Sequence, residues 1–140
     1  MAELAEAGKS SPQVRALALS LVARLPQKDY LGEGRAVQAW VRDHIRYVRD
    51  PLGVETVHTA DALLQQRQGD CDDKSILAAA LVMTLGHPAR FVAVGRKPGH
   101  YSHVFPQVFI RGHWYTMECT EPWPFGREPQ NIKSVMVQDI

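Results

Sequence analysis

The sequence predicts an α+β domain in which N-terminal helices pack on a small antiparallel sheet. Three observations predict it. Apolar residues recur at helical spacing up to Gly86, and after Pro88 the period becomes alternating. The two halves do not interleave as a βαβ chain would, which separates helices from strands. At 140 residues, with 45% hydrophobic and 22% charged side chains, the chain buries one core and has ordinary globular composition.

The elements follow in order. Ser11 caps a helix with Pro12 at its first position, and Val14, Leu17, Leu21, Val22 and Leu25 form its apolar face before Pro26 closes it. A second helix spans about Gly34 to Tyr47 and buries Val37, Trp40, Val41, Ile45 and Val48. Asp50-Pro51-Leu52-Gly53 reads as a turn. Thr59 caps a short helix, ADALLQQRQ, that stops at Gly69. The third long helix starts at Cys71 and ends at Gly86. ARFVAVG is a strand, RKPGH a mobile basic loop, and YSHVFPQVFI and HWYTMECT two strands joined by Arg111-Gly112. Pro106 predicts an edge position or a bulge in the middle strand. The proline-rich residues 121–140 form an irregular tail with at most one more short strand.

A formal net charge of +1 provides no field for nucleic acid or an anionic membrane. No apolar run approaches the ~20 residues of a membrane helix. The start, MAELAEAGKSSPQ, lacks the basic and apolar regions of a signal peptide, so the expectation is a cytoplasmic protein. Two cysteines, Cys71 and Cys119, are too few for a disulfide scaffold. No Gly-rich phosphate loop is present, and neither a cofactor nor a nucleic-acid partner is expected.

The segment RQGDCDDKSILAAALVMTLGHP carries the chemistry. Asp70 is a natural N-cap and Asp73 sits at the capping-box position. Cys71 then falls in the first helical turn, where free backbone N–H groups and the helix dipole favour a thiolate and supply half of an oxyanion hole. The aspartates stabilise a helix start by about 0.3–1 kcal/mol each, but they oppose thiolate formation. Cys71 therefore needs a cationic partner if it is a nucleophile. Without one it is a buried, inert cysteine.

The hairpin supplies that partner. With Arg111-Gly112 as a two-residue loop, Ile110 pairs with His113 and Phe105 with Glu118. His103 then lies one diagonal step from Glu118 on the same face, placing an imidazole beside a carboxylate. This is what a base and its orienting acid require. Cys119 pairs with Val104 and points to the other face, so no Cys71–Cys119 disulfide is expected. Read singly, His103 is a half-buried strand histidine and Glu118 an edge charge.

Taken as a set, these pieces resemble the transglutaminase-like superfamily of papain-like thiol enzymes. Gly69-Asp70-Cys71 is similar to its Gly-x-Cys helix start, and Gly86-His87-Pro88-Ala89-Arg90 to its G-x-P-A-R link. His103 is similar to its histidine strand, and Trp114 through Thr120 to its W-x-x-x-D-x-T strand. The resemblance covers Ala36 to Thr120, WVRDHIRYVRD included, and the wording is closest to small bacteriophage and prophage members. It implies a papain-like, transglutaminase-core fold. It divides the chain into an N-terminal helical part (1–35), a catalytic core (36–120) and the tail (121–140).

It also implies Cys71 as nucleophile, His103 as general base and acid, and Glu118 where most members have Asp. Cys119 replaces the proline of Asp-Pro-Thr. The reaction implied is attack on a carboxamide or peptide carbonyl, giving a thioester that water or a lysine amine resolves. Tyr47 and Trp40 are candidates for the oxyanion side-chain donor, though both also read as core aromatics. Asp72 beside the thiol and Tyr101 in the loop before His103 are candidates for substrate contact. The expected partner is a protein or peptide substrate bearing an amide, with recognition aided by a second protein.

Other readings compete. His100, His103, His113 and Cys71 supply metal-ligand chemistry, but HxxH on a strand sends its two histidines to opposite faces. Asp70, Asp72 and Asp73 lack the loop of a calcium site. The same fold also serves as a catalytically inactive binding or structural scaffold.

Overall fold

A computed structural model of the chain describes residues 1–49 and 58–140. Five helices precede the main sheet: α1 (Ala2–Lys9), α2 (Pro12–Val22), α3 (Tyr30–His44), α4 (Ala60–Gln66) and α5 (Cys71–Thr84). Two short strands, β1 (Arg46–Tyr47) and β2 (Gln68–Gly69), pair in parallel just before α5. The main sheet contains β3 (Ala89–Gly95), β4 (His103–Ile110), β5 (His113–Thr116) and β6 (Ser134–Asp139), in the order β5-β4-β3-β6 with antiparallel neighbours. The α+β order expected from the periodicity is the observed one.

Helix α5 is the axis of the fold. Every residue from Asp73 to Val82 is buried, because α1, α2, α3 and α4 surround it and β3 and β4 close the remaining side. A helix enclosed on all sides must be apolar all round, which is why ILAAALV shows no polar stripe. Its core neighbours are Val14 and Ala18 of α2, Val37 and Val41 of α3, Leu63 of α4, and Val104, Val108 and Ile110 of β4. A smaller cluster of Val92, Val94 and Phe105 lies on the sheet's other face.

Local chemistry sets the helix starts. Ser11, Asp29 and Thr59 each accept an N–H of the first turn from Val14, Gly32 and Ala62. The helix expected from Gly34 begins earlier, at the Asp29 cap, and stops at His44, so that Arg46 and Tyr47 pair with Gln68 and Gly69. The helix α4 ends at Gln66 rather than at Gly69, because Arg67 itself takes the left-handed cap conformation (φ 57°). Helix α1 was not expected from the periodicity. Its only fully buried residues are Ala5 and Gly8, too few to mark an apolar face. Gly8 lies where a Cβ would be 2.9 Å from Ala60 Cβ and 3.0 Å from Ala80 Cβ, so a small residue lets α1 approach α5. The expected turn at Asp50-Pro51-Leu52-Gly53 lies outside the described residues.

The sheet corrects two further expectations. Pro106 sits in β4, an interior strand, opposite Phe91 and in unbroken register, with neither edge nor bulge at that point. Proline is tolerated because its missing N–H would face β5 where that ladder ends. Met117 donates to the Pro106 carbonyl (2.9 Å), and the return bond to the Met117 carbonyl cannot form. The Cys119 thiol contacts that carbonyl instead, at 3.5 Å. The loop RKPGH is also held rather than mobile: the Ser134 hydroxyl donates to the Lys97 carbonyl and accepts the Gly99 N–H. Ser134 opens β6, so the tail adds a fourth strand to the sheet.

Candidate active site

The cysteine helix starts as its sequence dictates. The Asp70 side chain accepts the Asp73 N–H (3.1 Å), and the Asp73 side chain accepts the Asp70 N–H (3.2 Å), completing a capping box. Asp73 is fully buried and also accepts the His58 N–H (2.9 Å), with His58 Nδ1 3.3 Å away. That imidazole contact is close but lacks hydrogen-bond alignment, since Nδ1 has no hydrogen-bond partner among the described residues. The glycine of Gly-x-Cys has a steric origin: a Cβ on Gly69 would lie 2.7 Å from Asp73 Cβ and 2.8 Å from Leu63 Cδ1. The Cys71 N–H, in the first turn, bonds no acceptor among the described residues.

His103 meets Cys71 from the sheet. The hairpin register is the one counted from the two-residue loop, with Ile110 opposite His113 and Gln107 opposite Thr116. The ladder stops at Thr116, so Glu118 leaves the strand and reaches back. Its Oε2 lies 2.8 Å from His103 Nε2, while Oε1 accepts the N–H groups of Thr120 (3.0 Å) and Glu121 (3.2 Å). Glu118 is 1% exposed, so this carboxylate has been taken from water and is held by three donors. His103 and Cys71 line the same small opening, and the Cys71 side chain is one of the groups that raise the His103 pKa. With Nε2 engaged by Glu118, Nδ1 is the ring nitrogen left for proton transfer.

The electrostatics follow from this arrangement. Burial pushes the His103 pKa down, but the neighbouring Cys71 and Glu118 side chains and their charges outweigh it, raising the value to about 10. An imidazolium is therefore the resting form at neutral pH. Cys119, in the main core, has its thiol pushed up to about 12, first by burial and then by the Glu118 charge. The two cysteines are free, and only Cys71 is partly exposed.

Sequence reasoning passed over two buried supports. Lys74, one turn after Cys71, is 2% exposed and donates to the Cys119 carbonyl (3.1 Å). Burial lowers its pKa against the opposing pull of Cys119, Asp43 and Glu118. Gln38 of α3 donates to the carbonyls of Glu118 (3.0 Å) and Trp123 (3.1 Å). Together they fasten the off-ladder turn carrying Glu118 to the helices. The only sequence signal was a lysine and a glutamine on helices with no free face, visible only once those helices are known to be buried.

His103 lies between two openings. One, of about 240 Å³, is lined by Cys71, Asp72, Ala93, Tyr101, Ser102 and Val104. The other is a groove of about 750 Å³ with Val94, Trp123 and Ile132 in its lining and Tyr47, Arg49 and Arg96 beside them. Of the candidate contact residues, Asp72 and Tyr101 thus reach the thiol side and Tyr47 the groove. Asp72 Oδ1 is 3.8 Å from Cys71 Sγ. Trp40 lines neither opening: its ring stacks on His44 at 4.8 Å and lies under the Arg67 guanidinium at 4.9 Å. That packing holds its ring faces away from both openings. Among the described residues no three His, Cys, Asp or Glu side chains converge as metal ligands would. No helix among them is long and apolar enough to cross a membrane.

Comparison with known proteins matches residues 15–119 to the family model of the transglutaminase-like superfamily. Solved structures of similar fold include a candidate cysteine protease from Cytophaga hutchinsonii, at 19% identity and a TM-score of 0.63, over 91% of this chain and 46% of that one. A candidate protease from Parabacteroides distasonis is 16% identical, with a TM-score of 0.68, over 85% of this chain and 26% of that one. A protein described as a TGase is 20% identical, with a TM-score of 0.62, over 89% of this chain and 34% of that one. At these identities the likeness is one of fold, and the chain spans less than half the length of each. No curated protein matches it.

Proposed function

The chain belongs to the transglutaminase-like superfamily, and from that premise we propose that it performs cysteine-dependent acyl transfer on a carboxamide or peptide bond. The observation that carries the reading is His103, which shares the lining of one opening with Cys71 and lies 2.8 Å from the buried Glu118 carboxylate. Nucleophile, proton carrier and orienting carboxylate stand in series at the junction of two openings.

The Cys71 thiolate adds to the carbonyl carbon, and the oxyanion forms against the Cys71 N–H. The tetrahedral adduct collapses as the C–N bond breaks. The departing amine or ammonia takes its proton from the His103 imidazolium, leaving a thioester on Cys71 and a neutral imidazole. Water or a lysine amine then attacks the thioester, giving its proton to His103 as the C–S bond breaks. The thiolate–imidazolium pair is restored. Glu118 keeps the ring in one orientation and favours its charged form. The acyl portion occupies the opening beside Cys71 and Tyr101, and the leaving or incoming amine occupies the groove beside Tyr47 and Thr120.

Intact-mass measurement after incubation with a pool of glutamine-bearing and amide-capped peptides tests the reading. The expected result is a peptidyl adduct on Cys71, discharged by hydroxylamine and absent in Cys71→Ala. An unmodified Cys71 throughout, with no amine or ammonia released, would turn the assignment to an inactive scaffold on the same fold.

A further inference from the structure

The two edges of the main sheet are unlike. At one, β5 has four residues, and the tail folds over its end through the Gly126 N–H to the Thr116 carbonyl and the Phe125 ring on Tyr115. At the other, β6 pairs with β3 over six consecutive residues and carries Val135, Met136 and Val137 at 59%, 53% and 46% exposure. Between Ser134 and Gln138 it has no proline, charge or break in register. Such an edge lacks the devices that keep strands from pairing with other chains.

The direction of its backbone groups follows from the register. The Phe109 N–H bonds the Pro88 carbonyl, so even-numbered residues of β3 face β4 and odd-numbered ones face β6. Ser134, Met136 and Gln138, opposite Gly95, Ala93 and Phe91, therefore spend their groups inside the chain. Val135, Val137 and Asp139 present theirs outward.

We infer that β6 is a self-association edge, on which a second copy of this chain pairs its own β6 antiparallel about a two-fold axis at Met136. Outward groups must meet outward groups, which allows an axis at residue 135, 136 or 137 but not between residues. An axis at 135 sets Lys133 against Val137, and one at 137 sets Asp139 against Val135. The axis at 136 alone matches the pattern: Met136 meets Met136 once on the axis, Val135 meets Val137 and Ser134 meets Gln138 twice each, and Lys133, whose N–H is spent on the Gly95 carbonyl just before β6, comes beside Asp139 twice as a side-chain pair. Neither Lys133 nor Asp139 forms an ion pair within the chain among the described residues. Asp139 shares an opening with Glu3 and Glu6 of α1, so the incoming Lys133 meets an acidic surrounding. The dimer continues the sheet to eight strands. Its added strand lies beyond Met136, the neighbour of Ala93, which lines the opening at Cys71.

Sedimentation equilibrium from about 5 to 500 µM tests this independently of any activity. The wild-type chain is expected to dimerise reversibly. Val137→Pro removes an outward donor without touching the β3 ladder, and is expected to weaken dimerisation at least tenfold while leaving the circular dichroism spectrum and melting profile in place. Lys133→Asp and Asp139→Lys are each expected to be monomeric alone and to form a heterodimer when mixed, because mixing restores both ionic pairs in this register only. A wild-type chain monomeric throughout, or a dimer indifferent to Val137→Pro and to both charge reversals, would overturn the inference.

Discussion

Glu118→Gln isolates what the carboxylate does for His103. The glutamine oxygen can still accept the Thr120 and Glu121 N–H groups, so the turn is retained. Its amide nitrogen, however, points a donor at His103 Nε2, where the native residue accepts at 2.8 Å. The imidazolium then loses one charge-assisted hydrogen bond, worth about 1.5–3 kcal/mol in a site this enclosed. At 1.36 kcal/mol per unit, that corresponds to a fall of roughly one to two pKa units from the native value. Nitrogen-detected NMR of ring-labelled histidine reads the result directly. The wild-type ring of His103 is expected to titrate near pH 10, and that of Glu118→Gln roughly one to two units lower. The ring is also expected to shift toward the Nδ1–H tautomer, which cannot accept a proton from Cys71. A wild-type His103 titrating near 6.5, or a variant that titrates with the wild type, would refute the reasoning.

Other perturbations follow from the same geometry. Lys74→Met leaves the Cys119 carbonyl without its donor, a cost of about 1–3 kcal/mol, partly offset by no longer burying an ammonium. Cys71 alkylation at neutral pH is expected to slow at temperatures where the variant is still fully folded by its melting curve. Equal alkylation rates would show that Lys74 does not position the Glu118 turn. Asp70→Ala removes the cap of α5 and is expected to cost about 1 kcal/mol in chemical denaturation. A change within error would mean that burial alone starts the helix. Because the folded pKa of His103 is raised above its unfolded value of 6.5, its stabilising contribution is complete below pH 6.5 and is lost as pH rises through about 10. Unfolding free energy measured across that window is expected to decline, and His103→Ala to flatten the decline. An unchanged slope in the variant would assign the pH dependence to other groups.

How much of this could be read from the chain depends on how local the cause is. Asp70 capping α5 and Ser11 capping α2 are interactions over three residues, so their sequences state them. The hairpin at Arg111-Gly112 fixes its own register, and that register carries His103 to the side of Glu118. Glu118 lies beyond the ladder that ends at Thr116, and its side chain reaches back to His103 from there. Longer-range causes were not legible. Nothing near Lys74 announces burial, because the polar run DDK looks like an exposed helix start until α3 and the Glu118 turn close over it. Trp40 is an aromatic on a helix, and only the structure shows its ring packed between His44 and Arg67, outside the two openings at His103. The helix α1 and the strand β6 depend on contacts with α5 and β3, and neither has a strong pattern of its own.

The Cys71–His103 pair is the centre of the account, and the rate of iodoacetamide alkylation against pH tests it most directly. Peptide mass spectrometry follows both cysteines in one sample, with the buried Cys119, its thiol raised to about 12, as internal control. An ordinary thiol is only ~1% ionised at pH 6.5. Cys71 is predicted to react well at that pH while Cys119 stays unmodified, and His103→Ala to abolish the low-pH reaction. A Cys71 that reacts only above pH ~8.5, equally in wild type and His103→Ala, would contradict the pairing and with it the proposed chemistry.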